Sequence, residues 1–186
     1  MGPGPFGLLA NALIRLAKAN TYVVDIVSED SPKAHLVKHM GASYIDARDK
    51  TPQEIMEICC PGNGDLHLIL EASGAAETAV RFIPYMSRSS IYVMIGIPGC
   101  GLNIELDTAQ LIRQIVRYNQ VVVGGVNSNR RHFEMALKDK EEINSGFNGL
   151  LIEMMTHRFK INNYQQAFGL NDSGHIKTII EIEPWY

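Results

Sequence analysis

Met1-Gly2-Pro3-Gly4-Pro5-Phe6-Gly7 opens the chain, and an apolar helical stretch, LLANALIRLAKAN from Leu8 to Asn20, follows at once. Gly2, Gly4 and Gly7 spell G-x-G-x-x-G. Each glycine has a physical task in such a start. The first permits a tight turn, the second lets backbone approach a pyrophosphate, and the third lets the helix pack closely. Leu8, Leu9, Ala12, Leu13, Leu16 and Ala17 recur on one helical face. The N-terminus of that helix offers free N–H groups and a partial positive charge to phosphate. The motif ordinarily follows a strand, and here only Met1 precedes Gly2. The expectation is therefore a fragment or a truncated relative, its sheet lacking the first strand. That leaves two exposed strand edges and an uncovered apolar face from Leu8 to Leu16.

Working outward from this stretch, strands and helices alternate. The β-branched run Thr21–Val27 reads as a strand buried on both faces. Ser31-Pro32 opens a helix from Lys33 to Met40, and Gly41 stops it. A short strand spans Ala42–Asp46, and Thr51 caps a helix to about Cys59. Pro61-Gly62-Asn63-Gly64-Asp65 is a loop. Further strands are predicted over Leu66–Ser73, Ser89–Ile97 and Asn119–Gly125, with helices to about Met86 and over Thr108–Tyr118. This βα rhythm predicts an α/β fold, a Rossmann-like doubly wound parallel sheet with right-handed crossovers. From Asn129 a helix (HFEMALKDK) leads into a looser region, and HIKTIIEIEPWY reads as a short strand. The expected division is a dinucleotide-binding domain over 1–150 and a C-terminal segment over 151–186.

Composition narrows the classes. The 186 residues carry 46% hydrophobic content and a net charge of −3. That suffices for one core and argues against a nucleic-acid or anionic-membrane partner. No apolar run approaches the length of a membrane span, and the first residues lack the form of a signal peptide. Cys59, Cys60 and Cys100 make no zinc or redox motif and read as reduced thiols of a cytoplasmic protein. His35 and His39 stand i, i+4, but with no third ligand they read as a solvated helix face. His67 reads as core or rim. His132, after Arg130-Arg131, could greet phosphate but more often lies on a surface. Met154, Met155 and Phe159 read as core or an interdomain face. No metal site is expected in this chain.

A second anchor lies at the end of the second strand of a dinucleotide fold, where a carboxylate accepts hydrogen bonds from the adenosine ribose and repels a 2′-phosphate. Asp25 and Glu29 compete for the role. Glu29 stands where the apolar run stops and is favoured, with Ser28 and Asp30 beside it. No Arg or Lys lies between Val24 and Pro32, so NAD is favoured over NADP. Lys33 and Arg48 are the cations that could oppose that preference.

The motifs GPGPFG, LILEASG, IGIPG and VVGGVNSNRRHFEMAL together resemble the medium-chain dehydrogenase/reductases, in particular the archaeal-type glucose 1-dehydrogenase branch. The resemblance covers nearly the whole chain as the coenzyme-binding part. It implies that Gly2, Gly4, Pro5, Phe6 and Gly7 form the coenzyme fingerprint. It also implies that Ser73 and Gly74 border the cofactor, with the backbone of Gly96 and Ile97 facing the nicotinamide. Val126 and Asn127 would lie near nicotinamide and substrate, and Lys177 would reach the phosphates. Such enzymes pass a hydride from an aldose C1 to NAD or NADP, and members are homo-oligomers. Their catalytic zinc sits in an N-terminal catalytic domain that this chain does not contain. Arginines that select NADP in the branch give way here to Glu29 and Asp30. The readings carried forward are the coenzyme-binding part of such an oxidoreductase, a non-catalytic dinucleotide-binding remnant, or the coenzyme domain of another medium-chain alcohol or polyol dehydrogenase. GGVNSN speaks against the zinc-free quinone oxidoreductases.

Overall fold

Gly4, with extended backbone, is the N-cap of helix α1, Pro5–Leu16, and Pro5 fits its first turn, where no N–H is needed. A computed structural model describes residues 1–62, 64–99, 103–170, 172 and 174–182. Strand β1, Tyr22–Asp25, is shorter than the apolar run predicts. The Asp25 carboxylate accepts the next N–H, from Ile26, at 2.8 Å, and the chain then turns through a Ser31 N–H bond to the Ser28 carbonyl. A short side chain that bonds its own backbone competes with the ladder in this way. Helix α2, Pro32–His39, is capped by Ser31 Oγ, which accepts from the Ala34 N–H at 3.2 Å. Strand β2, Ser43–Asp46, and helix α3, Pro52–Cys59, follow. Thr51 and Glu54 form a reciprocal capping box on α3.

Strand β3, Leu68–Glu71, leads to α4, Ala76–Arg81. One helix to Met86 was expected, but Pro84 sits in a separate 3₁₀ turn, Ile83–Tyr85. Then come β4, Ile91–Met94, α5, Thr108–Arg117, and β5, Val121–Gly124. The last part is richer than the sequence suggests: α6, Arg130–Gly146; α7, Leu150–Glu153; β6, His157–Lys160; α8, Tyr164–Phe168; and β7, Thr178–Glu181. Among the described residues no helix is long and apolar enough to cross a membrane.

Every strand pairing among the described residues is parallel: β1 with β2, β3 with β4 and β4 with β5, β6 with β7. Met1 and Gly2 bridge the first two groups. The Gly2 N–H donates to the Val24 carbonyl at 3.0 Å, and the Ala72 N–H donates to the Met1 carbonyl at 3.0 Å. The order across the molecule is thus β2, β1, the Met1–Gly2 rung, β3, β4, β5. This is a Rossmann-like α/β arrangement, and its strand ends converge on the glycine-rich turn.

Two apolar clusters hold it. The first joins Leu8 and Ala12 of α1 to Val23, Ala34, Val37, Met40 and Tyr44, with Ile143, Leu150, Met154 and Ile176 closing over them. The second packs Val24, Ile45 and Ile55 against Ile69, Phe82, Met86 and Tyr92. The expectation of an uncovered α1 face is therefore corrected. Leu8 and Ala12 are fully buried, because α6, α7 and the segment around Ile176 fold back over them. The stretch after residue 150 shares the core of the first unit. Met154 is core, whereas Met155 is exposed.

Candidate nucleotide site

The glycine-rich turn is a place where added carbon does not fit. Gly2 has φ +81, and a Cβ there would stand 2.7 Å from the Ser73 Cα. A Cβ on Gly7 would lie 2.0 Å from the Gly2 carbonyl oxygen, so Gly7 keeps the first turn of α1 tight against the loop. Gly4 has nothing within 4 Å of such a carbon. It presents bare backbone at the open N-terminus of α1, where no side-chain cap and no acidic residue intrude. That combination of free N–H groups and helix dipole attracts an anion.

Beside the turn, the end of β3 is organised by Glu71. Its carboxylate is buried and accepts the Ser73 N–H at 2.6 Å, the Gly74 N–H at 3.0 Å, and the Ser73 hydroxyl. The Glu71 carbonyl accepts the N–H groups of Ile95 and Gly96, tying the end of β4 to the same point. Gly74 has φ +70, and a Cβ on it would meet the Ile97 carbonyl at 2.8 Å. A Cβ on Gly96 would lie 2.2 Å from the Gly74 nitrogen. The structure thus places Gly2, Ser73, Gly74, Gly96 and Ile97 side by side at the C-terminal ends of parallel strands. Ligands of open α/β sheets bind at that edge. The organising role of Glu71 was missed, although an acid closing the apolar run LILE was its signal.

A cleft of about 680 Å³ continues from Pro5 and is lined by Lys33, Phe168, His175, Lys177 and Thr178. Lys177 lies just before β7, so the ribbon β6–β7 carries it to the N-terminus of α1. His175 Nε2 lies 2.9 Å from Thr178 Oγ1, which fixes the backbone around Lys177. Two cations, Lys33 and Lys177, border this cleft. The place of Lys33 was legible only as a reach, whereas the structure sets it on the cleft wall.

Other expected residues are exposed or make contacts of their own. β1 ends at Asp25, and Glu29 lies in the following loop, exposed and 3.5 Å from Lys38 Nζ. Ser28 Oγ accepts the Asp30 N–H at 3.3 Å. Phe6, Val126 and Asn127 are exposed, the last two in the loop after β5. Arg48 forms an ion pair with Asp46 and is thereby occupied. His132 caps its own helix, accepting the Asn129 N–H at Nδ1, and His39 faces Glu153 at 3.8 Å. Among the described residues no three His, Cys, Asp or Glu side chains converge as a metal site. Cys59 and Cys60 are free thiols; burial pushes Cys59 up to about 11 and raises Cys60 as well. Cys100 lies outside the described residues.

A parallel α/β sheet with a glycine-rich turn, an open helix N-terminus and glycines packed at neighbouring strand ends defines a dinucleotide-binding domain of the Rossmann-like class. Residues 1–182 match the family described as glucose dehydrogenase C-terminus, and the chain belongs to that family. It is 33% identical over 185 residues to a glucose 1-dehydrogenase of Thermoproteus tenax, covering 98% of this chain and 49% of the relative. It is 31% identical over 182 residues to glucose 1-dehydrogenase 2 of Vulcanisaeta moutnovskia, with 98% and 49% covered. The chain thus spans about half the length of these relatives. Among solved structures, Haloferax mediterranei glucose dehydrogenase in complex with NADP, Zn and gluconolactone superposes with a TM-score of 0.86 at 24% identity, over 99% of this chain and 50% of that one. The likeness places the fold in the same class. The archaeal-type resemblance drawn from the motifs agrees with the family match.

Proposed function

We propose that this chain binds a nicotinamide dinucleotide across the C-terminal strand ends, as the coenzyme-binding part of a sugar-oxidising dehydrogenase. The observation that carries the reading is the set of positions a Cβ would fill, Gly2, Gly7, Gly74 and Gly96, arranged around the open backbone of Gly4. Such a cradle fits a pyrophosphate on the N-terminus of α1. A bound nicotinamide supplies a hydride acceptor, for which an aldose C1 is the donor in the proposed reaction. This chain's residues bind and orient. The N-terminus of α1 holds the phosphates, with Lys177 and Lys33 adding charge from the cleft. Ser73, Gly74, Gly96 and Ile97 shape the inner end, and Asn127 borders the substrate side. The metal would be held by a separate catalytic domain. The relatives' names and the gluconolactone in the Haloferax complex support the sugar assignment.

NAD is the proposed coenzyme over NADP, on the carboxylates that follow β1. Because β1 ends at Asp25 and Glu29 faces Lys38, the ribose contact falls to Asp25, with Glu29 and Asp30 adding negative field. Like charges about 4 Å apart repel by roughly 4 kcal/mol at an effective dielectric near 20, before screening. Screening and the nearby Lys33 reduce the discrimination to about tenfold or somewhat more, the equivalent of about 1.4 kcal/mol. NADH and NADPH are titrated by fluorescence on the full chain, then on Asp25→Ala, Glu29→Ala and Gly7→Ala. Saturable NADH binding, lost in Gly7→Ala and relaxed toward NADPH in Asp25→Ala, is expected. No saturable binding of either nucleotide overturns the dinucleotide reading. Equal binding of both overturns the coenzyme preference alone.

A further inference from the structure

The cleft bordered by Lys33 and Lys177 carries a pair of histidines that the coenzyme reading has not used. His175 is on its lining. His157 opens β6, and its ring meets that of His175 at 5.6 Å between centroids, tilted by 48°. Both residues are half-buried.

This pair sits in the network that holds Lys177. His157 Nε2 lies 3.3 Å from Asp172 Oδ2. The other Asp172 oxygen accepts the Gly174 N–H at 3.0 Å, and the Asp172 carbonyl accepts the His175 N–H at 3.1 Å. Ile176 is buried in the first core cluster, and its N–H donates to Thr156 Oγ1 at 3.1 Å. The Lys177 carbonyl accepts the His157 N–H at 3.3 Å.

The Thr156 hydroxyl has one proton and two acceptors in reach. Its oxygen lies 2.9 Å from His157 Nδ1 and 3.4 Å from the Lys177 carbonyl. A neutral His157 that donates to Asp172 through Nε2 must accept at Nδ1, and the hydroxyl proton is spent there. A protonated His157 donates from both nitrogens. Thr156 Oγ1 then accepts from Nδ1, and its own proton turns to the Lys177 carbonyl. One added proton thus forms a charge-assisted bond to Asp172 and gives the Lys177 carbonyl a second donor.

The charges around the pair set the direction of the coupling. Asp172 is the carboxylate that faces it. Lys33 of α2 and Lys177 supply positive charge from the cleft. Arg158 and Glu181 pair with each other at 3.2 Å, and Glu153 faces His39. Lys160 stands at the far end of β6, and α8 brings only the Tyr164 phenol. An anion in the cleft offsets the two lysines and attracts a charged imidazole beside them. Two charged rings this close repel each other, so the pair takes one proton before it takes a second.

We propose that the cleft binds the coenzyme's phosphates together with one proton from solvent, held on the His157–His175 pair. This rests on the dinucleotide reading and adds regulation to the same site. Histidine is the side chain that changes charge near neutral pH. A proton taken up with the ligand makes affinity rise as pH falls and decline as pH rises, and the coupling is reciprocal.

The test uses oxidised NAD, which has no group of its own that titrates between about pH 6 and pH 8, the range in which histidine does. The full chain is titrated by calorimetry in two buffers of different ionisation enthalpy. Binding about tenfold tighter at pH 6 than at pH 8 is expected, a mean uptake of about half a proton per NAD. Nitrogen NMR of the histidine rings should show His157 or His175 moving toward its charged form when NAD saturates the protein at pH 7. The double variant His157→Gln with His175→Gln should bring the affinity ratio below about twofold, whereas His132→Gln, on α6, should retain it. Calorimetry and NMR on the parent decide the matter even where the double variant does not fold. Saturable binding without proton uptake, or with neither ring changing charge, overturns this proposal and leaves the dinucleotide reading standing. Uptake that persists in the double variant does the same. No saturable binding of NAD at any pH overturns both.

Discussion

The two halves of the sheet are built from the same βα pattern and covered very differently. On the β1–β2 side, Leu8, Ala12, Ala34, Val37 and Leu150 are fully buried. On the β3–β5 side, all four residues of β5 are exposed, and α5 buries none of its residues. Ile112 and Val116 of α5 stand 62% and 72% exposed. The cause lies in the chain's last third. α6, α7 and the segment around Ile176 return to the first half and close its core, while nothing described returns to the second. Coverage, not strand count, separates a core strand from an exposed one, so local stability should differ across one sheet.

Mutation probes that difference most strongly at the centre of the covered half. Leu8→Ala is expected to lower stability by about 3 kcal/mol, read as a shift in the denaturant midpoint. A loss under about 1 kcal/mol would mean that α6 and α7 do not hold their cover in solution. Gly7→Ala follows, at about 2 kcal/mol, since its methyl would overlap the Gly2 carbonyl and force backbone apart. Tyr92→Phe sharpens the comparison from the other side. Tyr92 is fully buried in β4 and donates to the Ala79 carbonyl at 2.7 Å. Its loss should cost about 1 kcal/mol, showing that the second half has a firm centre despite its bare edge. Val122→Ala on β5 should change stability by less than about 0.5 kcal/mol. A larger effect would show that β5 is covered in solution.

The smallest expected effect is acid-dependent. Hydrogen bonds from Arg48 hold the Asp46 carboxyl down at about 2, below its ordinary 3.8. A lowered folded-state value contributes stability above the unfolded value, lost as pH falls through the folded one. Arg48→Ala should therefore lower the midpoint slightly at neutral pH, and the difference from the parent should shrink as pH falls from about 4 to about 2. The pair is solvent-exposed, so the effect is modest. A difference that stays constant from pH 6 to pH 2, or none at neutral pH, would show that the pair carries no such linkage.

The fold was legible wherever one local signal carried an element. Ser31-Pro32 and Thr51-Pro52 set two helix starts, and the apolar runs placed β1 to β5. The end of β1 was less so, because Ile26 and Val27 look like strand until Asp25 bonds the backbone beyond it. The covering of α1 was invisible, since Ile143, Leu150 and Ile176 lie more than 120 positions downstream and carry no mark of their destination. The glycines of the candidate site could be named from their motifs. That Gly74 and Gly96 touch each other could not, because contact between strand ends depends on register.

That contact constrains how the site could change over generations. With Gly96 standing where any Cβ would overlap the Gly74 backbone, neither loop can vary alone. A methyl on Gly96 forces the Gly74 backbone away, which also relieves part of the clash between a methyl on Gly74 and the Ile97 carbonyl, while the φ of +70 at Gly74 keeps its own cost. The two loops are therefore coupled in what they can accept, and Gly74→Ala with Gly96→Ala should show less-than-additive loss. Exposed positions such as Ile97, Val126 and Asn127 carry no such steric constraint and are free to vary singly.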